Sequence, residues 1–345
     1  MNPRFARQPI ALAFFVLMLL APGTIPLSNA VEPPPGRPDL PTGTVTVLGP
    51  TSCPAGAATG AECKQVLVSC AGLPDLDATL GVARPSGTVS GTIILVNGGP
   101  GTTFLNDGFA DTYVNDGFNV VQLAWASDWA SANDAGVKSA ACRPASIFKY
   151  AFDVVQQRSR TIGFCGQGIS GGGAALAYAL AEYGMSNYFD YVALAASPGV
   201  SRMDYGCDPS LYTGGPRNLC PLLANAPFAY PSGRKIDGWE GTTTCAKPNP
   251  LPSDIDRWTA DSIVTAGAAY NYPHTAMSWF FCATPGSITE TTGQGSFLTD
   301  QVVPLNAPPD VNCYSGSCQG ENPWTDKTAF NTTLNEMLSM CVPNH

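Results

Sequence analysis

The 345-residue sequence contains very little histidine and little charge. It has two histidines, 17 lysines and arginines and 26 aspartates and glutamates, so charged residues make up 12% of the chain. The shortage of basic residues argues against nucleic acid or an anionic membrane as a partner. The sequence lacks a CxxC pair close to a histidine, a phosphate-binding loop and a dinucleotide-binding fingerprint. We therefore expect no metal and no organic cofactor.

Long apolar runs are also scarce, and the one clear run lies at the N-terminus. Arg4 and Arg7 precede an apolar stretch at 10–21, which is followed by the small residues Ser28 and Ala30. This pattern predicts a signal peptide at 1–30, and the stretch is shorter than the roughly 20 residues of a spanning helix. We expect a secreted or periplasmic protein that does not insert into a membrane after signal removal. Loss of Arg4 and Arg7 leaves 15 basic residues against 26 acidic ones, a net charge of −11.

Cysteine, in contrast, is abundant. All twelve cysteines lie beyond the predicted signal peptide, and their number is even. In an exported protein this favours disulfide bonds over metal sites. Sequence proximity predicts two pairs, Cys53 with Cys63 and Cys313 with Cys318, and leaves the remaining connectivity open.

Alternating apolar strands and helix-length segments define the fold class. After a proline-rich leader at 31–45, we predict one α/β domain at 46–345, with a mostly parallel sheet covered by helices on both faces. A cysteine-, proline- and glycine-rich stretch at 199–265 interrupts the pattern and is predicted to be a disulfide-rich, lid-like insertion. The predicted strands lie at 64–70, 78–85, 92–96, 118–125, 160–166, 190–196, 275–283 and 299–307.

The segment 168–172, Gly-Ile-Ser-Gly-Gly, fits a nucleophile elbow centred on Ser170. An apolar strand precedes it and a segment of helix-forming composition follows, which is the context that a G-x-S-x-G motif requires. We predict that a side chain at Gly168 or Gly172 would collide with neighbouring strands, so the sharp turn requires glycine at both positions. The elbow would expose the Ser170 hydroxyl and place the Gly171 N–H at the start of a helix, where negative charge is favoured.

A second glycine-rich segment follows the predicted strand at 92–96. It reads Asn-Gly-Gly-Pro-Gly at 97–101. Glycine allows the backbone to turn an N–H towards a reacting carbonyl without a side chain in the way. We predict that Gly99 and Gly171 together form an oxyanion hole.

With these two segments in this order, the chain resembles the α/β-hydrolase superfamily, particularly its secreted serine hydrolases and esterases with a GGPG loop. The resemblance covers roughly residues 64–345. It implies an α/β-hydrolase fold and an acyl-enzyme formed on Ser170 from a carboxylic ester, either a small molecule or a polymer.

The sequence departs from this family at the two other members of the catalytic triad. The resemblance implies an acid after the strand at 275–283, where the chain has no aspartate and Glu290 is the available acid. It also implies a histidine after the last strand, where the chain has Asn312. These departures raise the alternative of a catalytically degraded protein that retains the fold for binding or structure.

His274 and Asp208 are the remaining candidates for the base and the acid. A serine needs an imidazole to accept its proton and a carboxylate to orient that imidazole. Asp204 and Asp208 follow the strand next to the elbow strand, whereas His274 precedes its strand, which would place it at the wrong end of a parallel sheet. A structural role for His274 is the alternative, and His345 is expected to be a frayed terminal residue.

The sequence therefore supports three functions. The first is a secreted serine hydrolase that cleaves carboxylic esters with Ser170, His274 and Asp208. The second is a binding or structural protein without turnover. The third is a proline-directed exopeptidase, which the GGPG loop suggests.

Overall fold

A computed structural model describes most of the chain beyond the leader. The described residues are 39–215, 219–220, 238, 245, 249–283, 290–316, 318 and 322–345. The predicted signal peptide and most of the leader lie outside this range, as does much of the predicted insertion between 216 and 248.

A mixed sheet of nine strands forms the centre of the fold. The strands in chain order are β1 (Thr44–Pro50), β2 (Glu62–Ser69), β3 (Leu76–Ala83), β4 (Gly91–Val96), β5 (Phe118–Trp125), β6 (Gly163–Ile169), β7 (Tyr191–Ala195), β8 (Asn271–Tyr272), β9 (Ala276–Cys282), β10 (Val303–Pro304) and β11 (Asp310–Tyr314). Their order across the large sheet is β1-β2-β3-β5-β4-β6-β7-β9-β11, and β8 and β10 pair separately. The first three strands pair antiparallel, and β3 pairs antiparallel with β5. From β5 to β11 all pairings are parallel.

The inner strands match the sequence pattern that predicts them. Every residue of β4, β5, β6, β7 and β9 is buried. Strands buried on both faces read as continuous apolar runs, because helices cover each side of a parallel sheet. The predicted α/β class, with a mostly parallel sheet, is confirmed.

Helices pack on both faces of the sheet. They are α1 (Phe109–Asn115), α2 (Gly136–Ala140), α3 (Cys142–Tyr150), α4 (Gly171–Glu182), α5 (Met203–Cys207), α6 (Pro252–Asp261), α7 (Glu290–Thr299) and α8 (Lys327–Met340). One apolar core contains residues of α2, α3, α4 and α6, and a second core on the other face contains residues of α1 and α8. Within the described residues, no helix is both long and apolar enough to cross a membrane.

The last strand of the large sheet differs from the prediction. The predicted strand at 299–307 contributes only β10, which pairs with β8 outside the large sheet. The sheet ends instead with β11, which pairs with β9 and contains Asn312, a residue that the sequence placed in a loop. Strand β11 is a short edge strand with partly exposed side chains, so no continuous apolar run marks it.

Five disulfides connect ten of the twelve cysteines. The predicted pair Cys53–Cys63 is confirmed. The predicted pair of Cys313 with Cys318 is wrong, because Cys313 in β11 bonds to Cys220 of the insertion. The other three are Cys70–Cys142, Cys165–Cys341 and Cys207–Cys245. Cys220, a residue of the predicted insertion, is thus bonded to the sheet through β11.

Candidate active site

Ser170 occupies a strained turn between β6 and α4. Its backbone has φ 49° and ψ −117°, a conformation that costs a non-glycine residue about 1–3 kcal/mol. Three hydrogen bonds hold it there. The Ser170 N–H donates to the Ala195 carbonyl at 2.8 Å, and its carbonyl accepts from the Ala174 N–H at 2.9 Å and from the Ser197 hydroxyl at 3.0 Å. The turn is therefore fixed from both β7 and α4.

The glycines of the elbow are required by close backbone contacts. A Cβ on Gly172 would lie 2.3 Å from the carbonyl oxygen of Val96 at the end of β4. A Cβ on Gly168 would lie 2.7 Å from the backbone of Gly172 itself. The predicted collision at Gly172 is thus with a neighbouring strand, whereas that at Gly168 is with the start of α4.

The glycine-rich loop at 97–101 contacts the elbow directly. A Cβ on Gly98 would lie 3.2 Å from the Ser170 Cβ. Asn97 fixes the loop, since its Oδ1 accepts from the Gly98 N–H at 2.8 Å and its Nδ2 donates to Thr103 Oγ1 at 2.7 Å. Gly99 has φ +57°, a backbone conformation that side chains rarely adopt.

Gly99 and Gly171 lie next to each other, as an oxyanion hole requires. A Cβ on Gly171 would lie 2.4 Å from the Gly99 carbonyl oxygen and 3.1 Å from the Gly99 nitrogen. The Gly171 N–H belongs to the first turn of α4, where N–H groups have no acceptor within the helix. Within the described residues, the Gly99 N–H also has no hydrogen-bond acceptor. Two backbone donors beside Ser170 suit a developing negative charge.

Buried tryptophans support the outer side of this loop. Trp125 donates its backbone N–H to the Gly101 carbonyl at 2.8 Å, and the Trp129 N–H approaches the Pro100 carbonyl at 3.4 Å. Arg143, which is 3% exposed, donates to the Trp129 carbonyl at 2.9 Å and so anchors the segment that follows β5. The position of the loop thus depends on buried packing.

His274 does not lie near Ser170. In the sheet, Cys165 is level with Tyr191, and Tyr191 is level with Ala276. Ser170 follows Cys165 by five residues, whereas His274 precedes Ala276 by two. Seven residues of strand correspond to about 23 Å. The structure therefore places His274 at the amino edge of the parallel strands and Ser170 at the carboxyl edge.

At the amino edge, His274 belongs to a cluster around the C-terminus. Its Nδ1 donates to the Asn344 carbonyl at 2.8 Å, and its ring lies 4.7 Å from the ring of His345. The His345 side chain is 4% exposed and lies 3.8 Å from Asp190. The expectation that His345 is frayed is wrong, because Asp190 also accepts the Asn344 N–H at 2.7 Å and holds the terminus. In the described part of the chain, no three His, Cys, Asp or Glu side chains are placed to bind a metal ion.

Burial changes the pKa values in this C-terminal cluster. It lowers the pKa of His345 to about 4, with contributions from the positive charges of Arg160 and His274. It raises the pKa of Asp190 to about 6, against the opposing effect of the N–H groups of Phe164 and Asn344. Both histidines of the chain therefore belong to this C-terminal cluster.

Two of the candidate acids, Asp208 and Asp204, bind groups other than His274. Asp208 caps a short helical turn and accepts hydrogen bonds from the Ser210 N–H at 3.1 Å and from its hydroxyl at 2.6 Å. Asp204 is 3% exposed and forms an ion pair with Arg202. Glu290 is the first residue of α7, and its side chain lies outside the described atoms.

Asn312 has a structural role in the sheet. It lies within β11 and donates to Glu336 of α8 at 3.3 Å. It therefore does not occupy the loop position of a histidine, as the sequence suggested.

Comparison with known proteins agrees with the fold. No family model matches the sequence, and no curated protein does so either. Among solved structures, the chain is similar to acetyl xylan esterase 1 from Thermoanaerobacterium sp., with a TM-score of 0.52 and 11% identity over 86% of this chain and 88% of that one. The chain has the α/β-hydrolase fold.

Two further structures are similar at lower TM-scores. Brefeldin A esterase, a bacterial homologue of human hormone-sensitive lipase, has a TM-score of 0.47 and 14% identity over 85% of this chain and 79% of that one. A thermostable carboxyl esterase from Bacillus coagulans has a TM-score of 0.45 and 11% identity over 80% and 97%.

Within this α/β-hydrolase fold, sequence reasoning missed two residues that position the elbow. Ser197 is fully buried, and its hydroxyl holds the Ser170 carbonyl. Asn97 holds the Gly98 N–H and thereby leaves the Gly99 N–H as the next donor of the loop. Asn97 could have been found as the first polar residue after the apolar run at 93–96, whereas nothing in the sequence marks Ser197.

Proposed function

We propose that this protein is an exported α/β-hydrolase that cleaves carboxylic esters through an acyl-enzyme on Ser170. The observation that supports this proposal most strongly is the strained backbone of Ser170, held beside Gly99 and Gly171. Strain of this kind persists only where the surrounding structure imposes it, and it concentrates at functional sites. The five disulfides are compatible with export.

In the proposed reaction, Ser170 Oγ attacks the carbonyl carbon of the ester. The carbonyl oxygen becomes an oxyanion that accepts hydrogen bonds from the Gly99 and Gly171 N–H groups. The bond to the alcohol then breaks, and the leaving oxygen takes up the proton that the Ser170 hydroxyl loses, which is carried by water because no imidazole is at hand. Water subsequently attacks the acyl-enzyme and releases the acid.

The positions of the histidines determine the expected kinetics. The chain has two histidines, and both lie at the opposite edge of the sheet from Ser170. No imidazole is thus available to activate either Ser170 or the attacking water. A hydrolase that retains the oxyanion hole without its triad still exceeds the uncatalysed rate by about 10³–10⁴-fold. We therefore propose that Ser170 reacts with activated esters and that the acyl-enzyme is released slowly.

Labelling with a fluorophosphonate probe tests this proposal. The oxidised mature protein is compared with Ser170→Ala and with Ser86→Ala, a matched change at an exposed serine. We expect labelling of the unmodified protein and of Ser86→Ala, and none of Ser170→Ala. With p-nitrophenyl acetate we expect a burst of one equivalent, followed by slow turnover. Equal labelling of all three proteins would exclude Ser170 as the nucleophile.

A binding protein without turnover is the second candidate. The separation of both histidines from Ser170 favours it, because the oxyanion donors can bind a carbonyl or carboxylate without any proton transfer. This candidate predicts a folded protein that shows neither labelling nor a burst. Release of the amine from aminoacyl or prolyl amides, lost in Ser170→Ala, would instead support the exopeptidase that the GGPG loop suggests.

A further inference from the structure

Cys282 and Cys318 are the two cysteines outside the five disulfides. They are neighbours at the carboxyl end of β9 and β11. Cys282 is the last residue of β9 and is buried, and Cys318 follows the end of β11 by four residues and is partly buried. The Cys318 thiol interacts with the Cys282 side chain, and this interaction contributes to the raised pKa of Cys318. Ten of the twelve cysteines are therefore paired in disulfides, and the remaining two are neighbours.

The backbone around these cysteines brings them to the same point. Tyr314 is level with Cys282 in the pairing of β11 with β9. The Tyr314 carbonyl accepts the Ala283 N–H at 2.7 Å and also the Cys318 thiol at 3.4 Å. The residue after Cys282 and the side chain of Cys318 therefore share one acceptor. This arrangement places the Cys318 sulfur beside the backbone at the end of β9, where Cys282 lies.

The surroundings of Cys318 disfavour other roles for this cysteine pair. Burial raises the pKa of the Cys318 thiol to about 12, with further contributions from Cys282 and Asp326. The thiolate is the form that binds metals and attacks electrophiles, so little of it is present at neutral pH. The pair also belongs to no group of three metal-binding side chains within the described residues.

We propose that Cys282 and Cys318 form a sixth disulfide in the mature protein. In the reaction both S–H bonds are lost and one S–S bond forms, while a disulfide oxidant, RSSR, is reduced to two RSH molecules. The same class of oxidant must form the other five disulfides, so the reaction needs no additional reagent. The bond would join the end of β9 to the connection between β11 and α8.

This disulfide would restrict the carboxyl edge of the sheet, where Ser170 lies. Strand β9 is linked to the elbow through β7, since the Ala196 N–H donates to the Phe280 carbonyl and Ser170 donates to Ala195. On β11, Cys313 already anchors the insertion through Cys220. A bond between Cys282 and Cys318 would therefore join the connections that leave the last two strands. It does not depend on the proposed ester hydrolysis.

Thiol counting on the unmodified protein tests the proposal. The protein, folded under oxidising conditions, is denatured in N-ethylmaleimide without a reductant and weighed intact. We expect no adduct, and a protease digest should contain a peptide with Cys282 linked to Cys318. Two adducts in the oxidised protein, or a linkage of either residue to another cysteine, would overturn the proposal.

Serine variants provide an independent check. Cys282→Ser and Cys318→Ser should each gain one adduct, because each leaves one unpaired partner, and the double variant should gain none. Relative to the oxidised unmodified protein, the double variant should lose roughly 5 °C in Tm. Single variants that gain no adduct would show that the two residues are not bonded to each other.

Discussion

Gly171 and Gly99 are in backbone contact, so close that a Cβ on Gly171 would stand 2.4 Å from the Gly99 carbonyl oxygen. Contacts below 3.0 Å do not occur for real Cβ atoms, and the obstructing atom is backbone, so a larger residue at 171 must displace the loop at 97–101. The two N–H groups proposed to bind the oxyanion would then separate. The contact thus links the packing of the elbow to its chemistry.

Gly171→Ala should consequently impair the reaction of Ser170. We expect the rate constant for fluorophosphonate labelling to fall about 100-fold, since removal of one oxyanion donor typically costs that much or more. Gly87→Ala is the matched control, because a Cβ at Gly87 meets nothing within 4 Å. If both variants react at the unmodified rate, Gly99 and Gly171 are not the oxyanion donors.

His274→Gln should leave the labelling of Ser170 within about twofold of the unmodified rate, since about 23 Å of strand separates the two residues. The variant changes the contact with the Asn344 carbonyl, so we expect a small loss of stability instead. The measurement is the labelling rate constant from pH 5 to pH 9 for both proteins, which should give superimposable profiles. A tenfold lower rate would mean that His274 acts as the base after all.

The sequence predicts the centre of this fold well for a physical reason. Strands β4, β5, β6 and β7 are buried on both faces, and burial makes their sequences mostly apolar. The elbow and the loop at 97–101 are recognisable because only glycine fits their backbone contacts. Constraints of this kind act within short segments, so they can be recognised from the sequence of each segment alone.

The features that the sequence does not predict depend on contacts between segments that are far apart in the chain. The sequence favours a loop at Asn312 because the edge strand β11 is only partly buried and lacks an apolar run. The partner of Cys313 is 93 residues away in sequence, so proximity suggested Cys318 instead. The sequence predicts a frayed His345 because nothing near it in the chain indicates a partner. Its partner, Asp190, lies 155 positions away in sequence.

Arg143 offers a test of how the segment after β5 is held. Its guanidinium donates to the carbonyls of Trp129, Ser131 and Pro74. Arg143→Met would leave these acceptors without their charged donor, and we expect the free energy of unfolding to fall by about 3 kcal/mol. Arg158→Met is the control, since Arg158 is half exposed and its ion pair with Asp153 should contribute less than about 1 kcal/mol. Urea unfolding with the disulfides intact measures both, and equal losses would contradict the anchoring role.

The C-terminus should respond to pH through two opposing groups. The pKa of His345 falls from 6.5 to about 4 on folding, so its contribution to stability is complete above pH 6.5 and is lost as the pH falls towards 4. The pKa of Asp190 rises from 3.8 to about 6, so the folded state binds this proton first and gains stability as the pH falls from 6 towards 3.8. In the unmodified protein the two effects oppose each other over nearly the same range.

His345→Gln removes one side of this balance. We compare the free energy of unfolding of the variant with that of the unmodified protein. As the pH falls from 7 to 4.5, this difference should shift by about 2 kcal/mol in favour of the variant, because His345 of the unmodified protein binds a proton more readily in the unfolded chain than in the folded one. Urea unfolding of both proteins at several pH values gives this difference directly and cancels the other carboxylates. A difference that stays constant with pH would show that the ring of His345 titrates as freely in the folded chain as in the unfolded one.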